Sequence, residues 1–229
     1  MQKLPTLKQP RTRFKALYNF HLTQEPAVIR YLDPNNREDF IRYKRIFTNP
    51  MVQKYMEGVK GKITNAVIKK TLNPKDNDIR FAITTTEKDK LMGWVQFVPE
   101  ETQRLKRIKS SKYLNRLIVE ISYAKYIDGR IKKPVKGLVA SGVRLACIKL
   151  KEMEKLHAQI VKTKVRHIQI NAYVSAENIP SIKVLENAGF IYKEKVHYHN
   201  QKFKKYQGET KDLLYVLNWK KLGDLTAQE

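Results

Sequence analysis

Asn178-Ile179-Pro180-Ser181-Ile182-Lys183-Val184-Leu185-Glu186-Asn187-Ala188-Gly189-Phe190 is the stretch on which the fold turns. An asparagine followed by Ile-Pro-Ser is a helix start. Its side chain can accept first-turn amide protons, and proline early in a helix gives up a donor with no internal partner anyway. Gly189 can take the left-handed conformation that ends such a helix. Strand signals lie on both sides. Upstream, Ile168, Ile170, Ala172 and Val174 alternate with other residues, the period of a strand with one buried face, and downstream Phe190 to Tyr198 reads as another strand.

A longer unit of the same kind precedes it. Leu117, Val119, Ile121 and Tyr123 alternate with Glu120 and Ser122, a loop rich in Gly, Lys and Pro runs from Asp128 to Gly137, and Val139, Val143, Ala146, Leu150, Met153 and His157 then step by three and four. This strand–loop–helix unit is where chemistry is expected. A loop of little side-chain bulk entering a helix, here Lys136-Gly137-Leu138-Val139-Ala140-Ser141-Gly142, exposes backbone N–H groups at the positive end of the helix dipole. That makes a site for phosphate. Arg130, Lys132 and Lys133 precede it, although neither a G-x-G-x-x-G fingerprint nor a P-loop is present.

Working outward, Ala27 to Leu32 reads as a strand, Asp33-Pro34-Asn35-Asn36 as a turn, and Arg37 to Thr48 as a helix. A second helix over Ala66 to Leu72 stops before Asn73-Pro74. Ile79 to Thr85 and Leu91 to Val98 suit a hairpin, and Leu213 to Trp219 a final strand. The order is a mixed α/β sheet with at least one parallel crossover through the long helix. Residues 1-26 form a basic arm (Lys3, Lys8, Arg11, Arg13 and Lys15, with no acid until Glu25). Residues 27-222 are expected to form one domain with a basic insertion over 99-116, and 223-229 a short tail.

Composition sets the outer limits. The chain has 229 residues with 46 Lys+Arg against 22 Asp+Glu, a net charge of +24, yet 41% of it is apolar and 12 Tyr, 8 Phe and 2 Trp are present, so a packed core is expected and whole-chain disorder is not. No run approaches the ~18 apolar residues of a membrane helix, which argues against an integral membrane protein. The arm lacks the apolar core of a secretory signal, and an organellar address is disfavoured by its prolines and lack of serine enrichment. The expected compartment is therefore cytoplasmic. A lone cysteine, Cys147, excludes an internal disulfide framework and fits a reducing environment.

The residues Glu120-Ile121-Ser122-Tyr123, then Lys136-Gly137-Leu138 through Val143-Arg144-Leu145, together with Asn178 to Phe190, resemble the acetyl-CoA-binding core of the GNAT N-acetyltransferase superfamily. Within it, they are most like the branch that acetylates ribosomal-protein N-termini (the RimJ/RimL type), whose second signature reads N-x-x-S-x-x-v-l-E-k-x-G-F. Ile29 to Leu32, Phe47 to Val52 and Asp212 to Tyr215 resemble its opening strand and helix and its last strand, so the likeness covers about residues 27 to 220. It implies an acyl-CoA N-acyltransferase fold: a mixed, mostly antiparallel sheet with a splayed central strand pair and flanking helices. Acetyl-CoA would be the co-substrate, its pyrophosphate on the amides of Val135, Lys136, Gly137, Leu138, Val139 and Ala140. Its pantetheine would lie along Ala124, Tyr126 and Ile127, with Asn178 and Ser181 touching the CoA side; Asn178 can also serve simply as a helix cap.

Three positions depart from the pattern. Pro134 stands where the loop usually opens with Arg or Gln, Val139 replaces a small residue, and Leu185 occupies the place of a tyrosine that serves many relatives as general acid. Amine acetylation needs a base within reach of the amine and a donor for the developing oxyanion. Glu120 is the expected base, on the strand that would carry the thioester, with His197 and His199 as alternatives; no metal site is expected. The acceptor would be a protein N-terminus, a lysine or another primary amine. The alternative is a GNAT-fold subunit that binds RNA, DNA or a ribonucleoprotein, with catalysis weak or lost. Its contacts would come from Arg104, Lys106, Arg107, Lys109 and Lys112 of the insertion, the arm, and Lys202 to Lys205, with Tyr113, Phe203 and Tyr206 interleaved.

Overall fold

A computed structural model describes residues 22–24, 26–55, 63–72, 78–87, 89–99, 116–126, 135–160, 164, 166–197 and 211–227. Arg104 to Lys112, Ile127, Pro134, His199 and Lys202 to Lys205 lie outside the described residues, as do residues 1–21 of the arm. The chain divides into two compact units, Met1–Phe97 with Ser122–Leu145, and Val98–Ile121 with Ala146–Glu229.

In the first unit, β1 (Leu22–Gln24), β2 (Ala27–Tyr31), β3 (Ile79–Thr85) and β4 (Gly93–Pro99) pair in that order, each antiparallel to the next. The end of the expected arm is thus a strand, Leu22 opposite Ile29. Three helices connect β2 to β3: α1 (Arg37–Thr48), α2 (Pro50–Tyr55) and α3 (Asn65–Leu72). The bounds of α1 match the sequence reading because Asn36 accepts from the Glu38 and Asp39 amides. Helix α2 went unread. Asn49 closes α1 and at once caps α2 through the Met51 amide, with Pro50 in the first helical position. Leu32, Tyr43, Ile46, Phe47, Ile68, Leu72, Leu91 and Trp94 form a buried cluster, in which the Phe47 and Trp94 rings stack with centroids 5.7 Å apart. Arg30 anchors α1 to β2 by a two-pronged pair with Asp39 (2.7 and 2.8 Å) and a further bond to Asp89. Burial opposes its charge, but the bonds to the two aspartates prevail and hold it firmly protonated.

In the second unit the strand order is β5-β6-β8-β7. β5 (Arg116–Lys125) runs parallel to β6 (His167–Ser175), while β8 (Lys211–Leu217) is antiparallel to both β6 and β7 (Phe190–His197). Helix α4 (Leu138–Ile160) makes the β5-to-β6 crossover and α5 (Ile179–Asn187) leads into β7 through Gly189, at φ +90°. The parallel ladder runs from Arg116 opposite His167 to Glu120 opposite Asn171, and β5 and β6 continue past its end. The splay was expected a few residues further on, near Ala124 to Ile127.

Two sequence readings are corrected. The hairpin strand begins at Gly93 rather than Leu91, since Leu91 and Met92 belong to the connection, whose Met92 amide donates to Ile83. The last strand ends at Leu217, and Trp219 opens a further helix, α6 (Trp219–Ala227). Its cap explains the switch: Asn218 accepts from the Lys220 and Lys221 amides, and the Trp219 indole donates to the Ile168 carbonyl.

Candidate functional site

Among the described residues, five of the six helices begin on a side chain that satisfies first-turn amides. Asn36 caps α1, Asn49 α2, Thr64 α3, Asn178 α5 and Asn218 α6. Helix α4 is different. Its first internal bond, from the Ser141 amide to the Gly137 carbonyl, makes Gly137 the cap residue, which has no side chain to accept anything. Among the described residues no side chain accepts from the amides of Leu138, Val139 or Ala140, and the first turn carries no acid. Gly137 has φ +78°, a conformation costly for residues with a Cβ, and the space around it is open. Lys136 beside it is exposed. This is a set of donors left free at the positive end of a long helix.

The helix is held there by its packing. Leu138, Val139, Ala140 and Val143 are buried, so the valine in place of a smaller residue sits in the core. A Cβ on Gly142 would lie 2.7 to 2.8 Å from Ile83 Cδ1, Cγ1 and Cγ2, so only glycine lets α4 approach β3 this closely.

β5 carries the other expected contacts. Its buried positions are Val119 and Ile121, then Ala124, with Tyr126 just beyond the strand, so the parity of burial changes across Ser122 and Tyr123. The sequence reading continued the alternation to Tyr123, which is instead half-buried. Ala124 is buried on the far side of that change. Tyr126 was expected beside pantetheine, yet its side chain belongs to the core. Arg45 donates to its hydroxyl at 3.0 Å, the Arg42 guanidinium lies 4.9 Å from the ring centroid, and its amide donates to the Met92 carbonyl.

Glu120 is half-buried and sits at the last paired position of β5, opposite Asn171. Asn171 is buried and accepts a bond from the Gln169 amide at 2.7 Å; the sequence reading missed it because an asparagine amid Ile and Ala looks like a mere interruption. Asn178 is a helix cap, accepting from Ser181 at 3.3 Å, and Ser181 is half-buried one turn in. Leu185 is buried in the core. A phenol meets that helix from β8: Tyr215 donates to Glu186 at 3.3 Å, and burial, then the Glu186 charge, push its pKa up and keep it protonated at neutral pH. His197 ends β7 opposite Lys211. Among the described residues no three His, Cys, Asp or Glu side chains gather in one place.

No family model matches the chain, and no curated protein matches it by sequence. Solved structures do resemble it. An acetyltransferase of the GNAT family from Bacillus anthracis is 17% identical, covering 86% of this chain and 98% of its own, with a TM-score of 0.55. The ribosomal-protein-S5-alanine acetyltransferase from Vibrio fischeri is 15% identical over 86% of this chain and 95% of its own, TM-score 0.55. AAC(6')-Ib in complex with ribostamycin and coenzyme A is 12% identical over 87% and 97%, TM-score 0.56. At these identities the likeness establishes a common fold, the one the sequence resemblance implied.

Proposed function

We propose that the chain is an acetyl-CoA-dependent N-acetyltransferase acting on a primary amine. The observation that carries this reading is the uncapped start of α4. Among the described residues the other helices are capped by side chains, and the helix left open is the one whose counterpart in the resembling family receives a diphosphate. The residues present fit such a group: the amides of Leu138 to Ala140 as donors, Gly137 giving unobstructed approach, and Lys136 adding positive charge. Acetyl-CoA would supply the acyl thioester. The chain's own part is to orient it through those amides and the backbone after the parity change in β5, and to take a proton from the amine on the Glu120 carboxylate. With Leu185 in the core, the proton for the leaving thiolate would come from another group, and Tyr215, a protonated phenol bonded to Glu186 of α5, is a candidate. A protein N-terminus, a lysine side chain and an aminoglycoside-like amine all remain acceptors within this reading.

Acetyl-CoA and CoA binding test it directly. At about 100 times Kd a ligand contributes about 2.7 kcal/mol, several degrees of melting temperature for a chain of this size. No shift at millimolar concentration sinks the enzyme reading. If CoA binds, Glu120→Gln should lower turnover far more than CoA affinity, and equal losses would remove Glu120 from the base role.

The net charge of +24 favours a second reading, a GNAT-fold subunit docked on RNA, DNA or a ribonucleoprotein. Affinity that falls steeply between low and moderate salt supports it, and a flat response counts against it. The two roles are compatible, an acetyltransferase brought to its amine by an anionic partner being one way to combine them.

A further inference from the structure

Inside the first unit, one face of the β3–β4 hairpin holds polar donors without acceptors among the described residues. Arg80 lies directly opposite Gln96, and Ala82 opposite Trp94, so all four share a face, and Tyr43 of α1 packs on it with its ring 5.8 Å from that of Trp94. Tyr43 is 0% and Trp94 1% exposed, and the Arg80 side chain 7%. Among the described residues, Arg80 Nε and Nη1, the Trp94 indole nitrogen and the Tyr43 hydroxyl have no hydrogen-bond partner. Arg80 bonds instead through Nη2 to a single oxygen of Asp78 at 3.3 Å, which also accepts from Gln96 at 3.0 Å.

The same chain shows how it completes an arginine held against a buried carboxylate. Arg30 meets Asp39 with two bonds of 2.7 and 2.8 Å, and Arg166 meets Glu154 with two of 2.7 and 2.6 Å. Arg80 has nothing comparable, although it is as thoroughly enclosed. The guanidinium and indole nitrogens can only donate, so what they lack is an acceptor. A single water offers two lone pairs but brings two protons that need acceptors in turn, whereas an oxyanion only accepts. Burial keeps the Tyr43 hydroxyl protonated, so it too is available as a donor. We infer that Arg80, Trp94 and Tyr43 form an internal receptor for a small carboxylate. Neither the diphosphate site at α4 nor the acetyl-transfer reading is needed for it.

The test uses the full chain. Thermal unfolding is compared in sodium acetate and sodium chloride at equal ionic strength, which cancels the general screening of a strongly basic protein. Acetate is expected to raise the melting temperature saturably above chloride. It should also shift the Trp94 indole N–H resonance, assigned by its loss in Trp94→Phe, and leave that of Trp219 unmoved. Arg80→Met should abolish both effects. Because that variant also strips Asp78 of a partner and can fail to fold, Tyr43→Phe accompanies it and should weaken acetate binding roughly threefold to tenfold, the range of one hydrogen bond. Equal responses to acetate and chloride overturn the proposal, as does an acetate response that survives Arg80→Met or an affinity unchanged in Tyr43→Phe. Glycine, tested alongside, separates the two sources of a carboxylate: tighter binding than acetate assigns the receptor to one end of an amine-bearing ligand, weaker binding to a free structural anion.

Discussion

Replacing Gly142 by alanine sets two effects of opposite sign against each other. In a helix interior, glycine to alanine is ordinarily favourable by about 0.4–1 kcal/mol, because the unfolded chain loses freedom and the helix gains propensity. Here the new methyl would lie 2.7 Å from Ile83 Cδ1 and 2.8 Å from both Cγ1 and Cγ2. Rotating the far end of the isoleucine relieves only the first of these. Cγ1 and Cγ2 both branch from Cβ, and a β-branched residue in a central strand has little rotamer freedom. Either α4 or β3 must move by several tenths of an ångström, overpacking that costs about 1–3 kcal/mol. The overpacking term outweighs the propensity gain, so Gly142→Ala should destabilise by about 1–2 kcal/mol, or roughly 2–8 °C in melting temperature for a chain of this length. Urea unfolding of Gly142→Ala, Ile83→Ala and the double variant would measure the coupling. Ile83→Ala alone removes all three close atoms and leaves a cavity that the methyl introduced by Gly142→Ala partly fills. The double variant should therefore be less destabilised than the sum of the singles by about 1 kcal/mol or more. A Gly142→Ala protein more stable than the parent, or a coupling near zero, would refute this account of how α4 is seated.

Three further outcomes follow from local geometry. Asn218→Ala removes the cap of α6 and should lower stability by about 1 kcal/mol, read as a drop of a few degrees in melting temperature. Glu154→Gln leaves Arg166 without its two-pronged carboxylate. A fully buried pair broken this way costs about 3–5 kcal/mol, but Arg166 keeps some access to water, so about 2–3 kcal/mol is expected, seen as a lower urea midpoint with unchanged slope. Burial raises the pKa of Cys147 and of Tyr43 above their ordinary values. Their contributions to stability are therefore complete below those ordinary values, near 8.5 and 10, and are lost as pH climbs through them, at up to about 1.4 kcal/mol per pH unit for each group. Stability measured from pH 7 to 11 should fall first with Cys147 and then with Tyr43, and Cys147→Ala and Tyr43→Phe should each flatten their own part of the decline.

Most strands and helices were legible because their signals are local and mutually consistent. Helix α1 has a cap, acids in its first turn and an apolar face, and its bounds came out unchanged. The short helix from Asn178 to Gly189 carries a cap at both ends. What escaped the sequence reading was decided by contacts distant in the chain. Trp219 continues a strand by propensity, but its indole reaches the Ile168 carbonyl and Asn218 has already turned the backbone into a helix. Tyr126, an aromatic at the end of a strand, could equally face a ligand. Arg42 and Arg45, more than eighty residues earlier, are what draw it into the core.

The site divides in the same way. The α4 start was legible as a phosphate site from Gly137 and the resemblance together. A glycine before a helix is by itself commonplace, and the side-chain caps on the other five helices among the described residues are what set this one apart. The change in burial along β5 has no residue signature, because Leu117 to Tyr123 alternates regularly while the buried positions are Val119, Ile121 and then Ala124. It follows Glu120 and Asn171, the last pair of the parallel ladder. Glu120 is therefore placed by where pairing ends, more than by any property of its own neighbours in sequence. A substitution that extended or shortened that ladder would relocate the carboxylate without touching it, and changes at Asn171 should accordingly affect any chemistry that depends on Glu120.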